Sequence, residues 1–332
     1  MAECEEMIQS PAFKDRKVRL VVFGTLQIIL GCLCALLAPL MIIGMMAAAH
    51  NNSAEGANVK AIIFGALFYV LLAVWFIWMG IGSVMARRWA RALILISSWF
   101  WLICGLLGFI YIMSRLIPNM YSNMSENDKV PKAMVTGIMI GMITFMTIFY
   151  VIIPGLLVLF YSGRDVKATC EYRDPKIRWT DKCPLPVLAI SLMTAVGAIS
   201  TLTMGTCKWT LPFFGIILNG TAGAILILVL VLLYAYSAWG LYKMNIKAWW
   251  VLLLVTIGWS ASIIITFSRV SMQDYYDKIG FSAQQLESMK RFNMSNMSWF
   301  CGLWAAVTIA YLLCIRKYFV SGRQETNRTV EQ

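Results

Sequence analysis

Seven side chains are the candidates for recognition chemistry: Arg115, Arg269, Arg164, Arg323, Arg173, Arg178 and Trp179. A guanidinium is always charged, and its planar fork matches a carboxylate or a phosphate. Arg115 and Arg269 each follow a serine just past an apolar run, so both fall at one membrane boundary. Arg164 and Arg323 each follow a Ser-Gly pair at the opposite boundary. Each of the four could hold a carboxylate, a phosphate or a partner. The plainer reading is an anchor whose long stem snorkels its head to the interface. Arg173, Arg178 and Trp179 lie in the segment 162–183, SGRDVKATCEYRDPKIRWTDKC. Its alternating acids and bases suit a salt-bridged linker at the headgroups. Each basic residue there attracts anionic lipid by about 1 kcal/mol. The sharper reading is a docking surface for a partner protein.

Catalytic and cofactor chemistry finds no residues to carry it. The chain has one histidine, His50, so haem held by two histidines is excluded by count. No Walker, Rossmann or H-E-x-x-H pattern occurs. The nine cysteines include no C-x-x-C pair, and five of them (Cys32, Cys34, Cys104, Cys301, Cys314) lie in apolar runs as small hydrophobes. Cys170 and Cys183 could hold zinc only with further ligands, and His50 is expected on the other side of the membrane. Whether Cys207 and Cys301 pair is open. A base, a nucleophile and an oxyanion site are not found together. The expectation is a protein that is not an enzyme and has no cofactor or metal.

The elements that position these residues follow from composition. Of 332 residues, 60% are hydrophobic and 13% are charged, with a mean hydropathy of +0.73. Soluble domains carry about 25% charged residues, so the bilayer is the solvent here. A spanning helix needs about 20 apolar residues. Eight runs qualify: 20–49, 61–85, 92–113, 133–161, 185–204, 211–242, 248–267 and 299–315, none with an acidic or basic residue. Each is expected to be helical, because lipid cannot satisfy a free peptide group. Pro39 and Pro154 fall inside runs, where a proline either kinks a helix for packing or breaks it at a binding site. The polar start and long first run argue against a cleavable signal.

The net charge of +12 reads as loop charge that sets orientation rather than as a nucleic-acid surface. With the N-terminus inside, the inside segments hold 19 of the 28 basic residues. Both termini are therefore expected in the cytoplasm, with the chain in the plasma (inner) membrane.

The two halves echo each other. Ser162-Gly163-Arg164 has its counterpart in Ser321-Gly322-Arg323, Ser114-Arg115 in Ser268-Arg269, and a basic turn precedes both Trp89 and Trp249. The offset drifts between 154 and 160 residues. Four spans per half keep the halves in one orientation, which implies a parallel 4+4 repeat. The expected organisation is an N-terminal half over 1–161, a charged cytoplasmic linker over 162–183 and a C-terminal half over 184–332. Ser282 and Gln285 form a capping box, which predicts a short helix over 283–292. Gly137 and Gly141 form a G-x-x-x-G that lets helices approach closely.

Empty of charge, the spans make a poor ion pump, since pumps and proton relays place ionisable groups in their helices. The function that follows is a non-enzymatic accessory or scaffold component of a membrane assembly. Its expected partners are the lipid bilayer, other membrane subunits and anionic headgroups at the cytoplasmic face. The alternative is a facilitator for a neutral or apolar solute, with a path between the halves.

Overall fold

The computed structural model describes residues 13–50, 59–116, 132–280 and 298–330. Among these it contains eight helical segments long and apolar enough to cross a membrane. They are α1 (Lys17–His50), α2 (Val59–Val84), α3 (Arg88–Tyr111), α4 continued by α5 (Lys132–Thr147, Ile153–Tyr161), α7 (Leu185–Leu202), α8 (Gly220–Tyr242), α9 (Ile246–Arg269) and α11 (Ser298–Val330). Two shorter helices, α6 (Arg164–Arg173) and α10 (Met272–Ile279), lie between spans. The protein is an all-α polytopic membrane protein. It divides into two compact units: Met1–Leu102 with Ile152–Asp181, and Ile103–Val151 with Lys182–Gln332.

In the first unit, α1 and α2 pack antiparallel along a stripe of small residues. The buried positions of α1 are Leu20, Gly24, Gln27, Gly31, Cys34 and Ala38. Their spacing alternates between four and three, the period that keeps one seam facing a partner helix. From α2 come Ala66, Ala73 and Gly80, all buried. The backbones touch: a Cβ on Gly24 would lie 2.7 Å from the Gly80 carbonyl oxygen, and one on Gly80 would lie 2.6 Å from that of Gly24. Lipid tails are as apolar as leucine, so close dispersion contact rather than water exclusion holds such a pair together. Leucines 33, 36 and 40 on the other faces of α1 are exposed and meet lipid.

The two prolines behave differently. α1 runs through Pro39 without interruption. Pro154 has no N–H, and its ring crowds the carbonyl four residues back, that of Tyr150. The chain widens there into a π-helical turn, Ile148–Ile152. Gly105 of α3 packs against the spot: a Cβ on it would lie 2.6 Å from the Tyr150 carbonyl oxygen.

In the second unit, Trp249 is fully buried with Val187, Leu241, Leu252 and Leu312. Polar groups that cannot reach water find backbone carbonyls instead. The Trp249 indole N–H donates to Leu312 O at 2.9 Å, the Tyr311 hydroxyl to Pro186 O at 2.9 Å, and Ser191 to Ala238 O at 2.7 Å.

The run 211–242 is not the single helix that its hydropathy predicts. It begins with an antiparallel hairpin, β1 (Leu211–Phe213) and β2 (Ile216–Leu218), paired Leu211↔Leu218. Phe214 and Gly215 have φ of 41° and 97°, the two left-handed residues of a tight hairpin turn. Their N–H groups donate to Ser262 Oγ and Thr266 Oγ1, each at 3.0 Å, and Ser262 donates to Pro212 O at 3.1 Å. Two hydroxyls one turn apart on α9 thus take the place of helical partners. The helix starts at Gly220.

The sequence echoes have mixed structural counterparts. The turn from α2 to α3 and the turn from α8 to α9 share one geometry, 158 residues apart. Ala86 and Met244 are left-handed, with φ of 51° and 57°. The N–H groups of Ala86 and Met244 bond to Ser83 O and Leu241 O, each at 2.9 Å. Those of Arg87 and Asn245 bond to Gly82 O and Gly240 O at 2.9 and 2.8 Å. A Cβ on Gly82 would strike that of Ala90, and one on Gly240 that of Ala248. Ser114 and Ser268 both donate to the carbonyl three residues back, Tyr111 O and Ile265 O. The Ser-Gly-Arg echo differs. Gly163, with ψ of 138°, starts α6, whereas α11 passes through Ser321–Arg323. The helix expected over 283–292 lies outside the described residues. A serine N-cap occurs earlier instead: Ser271 Oγ accepts the Asp274 N–H at 3.1 Å and donates to its carboxylate at 2.7 Å, opening α10.

Candidate functional site

The charged segment 162–183, as far as Asp181, folds onto the ends of α1 and α3 within the first unit. α6 opens with Asp165 in its first turn and closes with Arg173 in its last, both complementary to the helix dipole. Val166, Thr169 and Cys170 form its buried face. The N-terminal segment before α1 docks there: Arg16 N–H donates to Thr169 Oγ1 at 3.1 Å. The Arg16 guanidinium reaches Asp165 Oδ2 from Nε and Nη2 at 3.2 and 3.0 Å. Asp15 accepts Arg173 Nη2 at 2.6 Å and Lys17 N–H at 2.9 Å. The Arg173 hydrogen bond holds the Asp15 carboxyl below its ordinary range, with the Lys17 N–H helping against desolvation.

Asp174 is the anchor of a second cluster. Its side chain is only 2% exposed. Arg178 grips it from Nε to Oδ2 at 3.1 Å and from Nη2 to Oδ1 at 2.8 Å, a forked pair. Arg87 lies 3.6 Å away. The Arg178 hydrogen bonds, followed in the same direction by the charges of Arg178 and Arg87, keep the Asp174 carboxyl low. Arg88 donates to Glu171 O at 3.3 Å and approaches Asp181 at 3.9 Å. Asp181 in turn caps the Arg178 N–H at 2.9 Å. Cys170 sits behind this cluster, and burial pushes its thiol up to about 11, so it is not a poised nucleophile. Among the described residues no three of His, Cys, Asp and Glu converge as a metal group would.

Beside the Arg16–Asp165 pair lies an open groove of about 660 Å³. Arg16, Arg19 and Arg164 ring its polar end. Phe23 and Phe160, stacked with centroids 4.3 Å apart, line it with Leu156 and Leu159.

The seven residues singled out by sequence are therefore scattered. Arg173 and Arg178 are engaged by Asp15 and Asp174. Trp179 is 41% exposed at the start of a short 3-10 turn, Trp179–Asp181. Arg164 is exposed at the first position of α6 and borders the groove. Arg269 ends α9 and lies over the hairpin turn, with Cδ 3.1 Å from where a Cβ on Gly215 would be. Arg115 lies in the π-helical turn Ile112–Leu116 and Arg323 in α11; their side chains are outside the described residues. Cys301 is a free thiol, and the Cys207 side chain is likewise outside them.

Sequence reasoning passed over Asp15, Arg16, Arg19, Arg87 and Asp174. The basic run before α1 was legible, but as an orientation signal rather than as half of a site. Comparison with protein-family models, with curated proteins and with solved structures gives no match for this chain.

Proposed function

We propose that this multi-pass membrane protein is a non-enzymatic accessory or scaffold component of a membrane assembly, with both termini in the cytoplasm. The observation that supports it is the fourth span. Along Ala133–Tyr161, only 11% of its most apolar window is buried within the chain. Gly137 and Gly141 are exposed there, with nothing within 4 Å of where a Cβ would stand. Such a face offers lipid few methylenes, but lets another helix approach to backbone contact. The charges agree with this. The ion pairs described in the first unit sit at span ends and in the segment 162–181, rather than along a path through the spans.

The repeated α2–α3 and α8–α9 turns favour a duplicated origin, two sets of four spans in one orientation. That arrangement also suits the alternative, a facilitator for a neutral solute. Reconstitution into vesicles separates the two. Passive vesicles without solute flux support the accessory reading; saturable flux of a neutral solute through the chain alone overturns it. The topology is tested by a reporter fused at Asn327, which should read cytoplasmic.

A further inference from the structure

We propose that the groove beside α1 and α5 is a binding site for one anionic phospholipid, with its phosphate held by Arg19 and Arg164 and an acyl chain laid along Phe23, Leu156 and Leu159. This deepens the membrane reading above, and rests on the N-in topology only for which leaflet supplies the lipid.

The charges decide the ligand class. Three arginines and one carboxylate line the polar end, a local net charge of +2. Asp165 is occupied by Arg16 at 3.0 Å. Among the described residues Arg19 and Arg164 face no carboxylate. A zwitterionic headgroup would bring an amine for which no free acid is left. A phosphate with a neutral or acidic substituent meets only donors. Arg164 is also the first residue of α6, whose N-terminus has no side-chain cap, so the helix end adds to the positive field.

The walls decide that the anion carries a tail. Phe23 and Phe160 stack at 4.3 Å, while Leu156 is 52% exposed and Leu159 73%. Leu156 and Phe160 are one helical turn apart, roughly 6 Å of apolar depth beneath the arginines. A free phosphate gains nothing from that wall; an acyl chain does. The positive-inside rule places this end at the cytoplasmic leaflet, the one with a negative surface potential.

The test uses the full chain in mild detergent, titrated with phosphatidylglycerol and with phosphatidylcholine and read by native mass spectrometry. The wild type should retain phosphatidylglycerol in preference to phosphatidylcholine. At about 1 kcal/mol per arginine, R19Q/R164Q should weaken phosphatidylglycerol roughly 30-fold. R19K/R164K should keep most of the binding, and K243Q/K247Q, at the α8–α9 turn, all of it. Leu159→Gln tests the wall without adding a charge or touching an ion pair, and should also weaken lipid binding. Equal retention of both lipids by the wild type, or undiminished binding in folded R19Q/R164Q or Leu159→Gln, overturns the proposal. Excess inorganic phosphate should leave the lipid bound; displacement by it would overturn the lipid assignment in favour of a simple anion site. An external reading at Asn327 would sink the topology while leaving the micelle result intact.

Discussion

The Tyr161 hydroxyl lies 2.6 Å from Ser83 Oγ, and Ser83 Oγ lies 3.0 Å from the Leu20 carbonyl. Serine has one proton, and it goes to Leu20; Tyr161 must therefore donate to Ser83. All three residues are buried, so the chain of bonds ties α1, α2 and α5 together inside the first unit. Hydrogen bonds between membrane helices average about 0.6 kcal/mol. Tyr161→Phe should destabilise the protein in detergent by an amount of that order, read as a lower thermal midpoint. Ser83→Ala should cost more, because it leaves the tyrosine hydroxyl unpaired. The double variant should cost less than the sum of the singles; strict additivity would mean the bond contributes nothing.

Asp15 and Asp174 give the protein an acid limb. Both carboxyls are held below their ordinary value, by Arg173 with Lys17 and by Arg178 with Arg87. A group lowered in the folded state contributes stability above its unfolded value, and loses it as pH falls through the folded one. The melting temperature should therefore be level from about pH 7 to about pH 5, and fall below about pH 4. Asp15→Asn with Asp174→Asn should lower it at neutral pH and flatten the acid fall. An unchanged acid limb in that variant would show that other groups set it.

Backbone contact between α1 and α2 predicts a position-specific penalty. Gly24→Ala and Gly80→Ala each force a Cβ to within 2.7 Å and 2.6 Å of a carbonyl oxygen, and overpacking of this kind costs about 1–3 kcal/mol. Gly44→Ala, on the same helix with open space around it, should be neutral or slightly stabilising through helix propensity. Equal effects at Gly24 and Gly44 would show that the seam is not tight.

The matched turns predict matched losses. Gly82→Ala and Gly240→Ala press on Ala90 and Ala248 at equivalent points. Both should destabilise to a similar extent, whereas Gly258→Ala, with nothing within 4 Å, should not. A loss at one turn only would weaken the case for duplication.

Much of the fold was legible from residue types. The apolar runs placed all eight spans, and the small residues at 24, 31, 73 and 80 mark a close helix pair once the four-three spacing is noticed. The hairpin at 211–218 was not, because a short apolar stretch reads alike as helix or strand. Gly215 and Gly220, both left-handed, were the signal of a turn before the helix; Pro212 was not, since proline is tolerated in the first turn of a helix. The candidate site was legible only in part. Segment 162–183 stood out by composition, and Arg164 was among its residues. Its partners Asp15 and Arg16 lie about 150 positions away, and no local pattern announces a pairing at that separation. The Ser271-x-x-Asp274 cap has a readable pattern too, of the same kind as Ser282-x-x-Gln285.

A chain that works in company should leave its own membrane in company. The most direct measurement is the native mass of the particle released from that membrane by mild detergent. A scaffold role predicts a mass above the 37.4 kDa of the chain by a fixed partner mass, reduced to that of the chain alone by Gly137→Leu with Gly141→Leu. A particle of one chain, unchanged by that pair of substitutions, would contradict it.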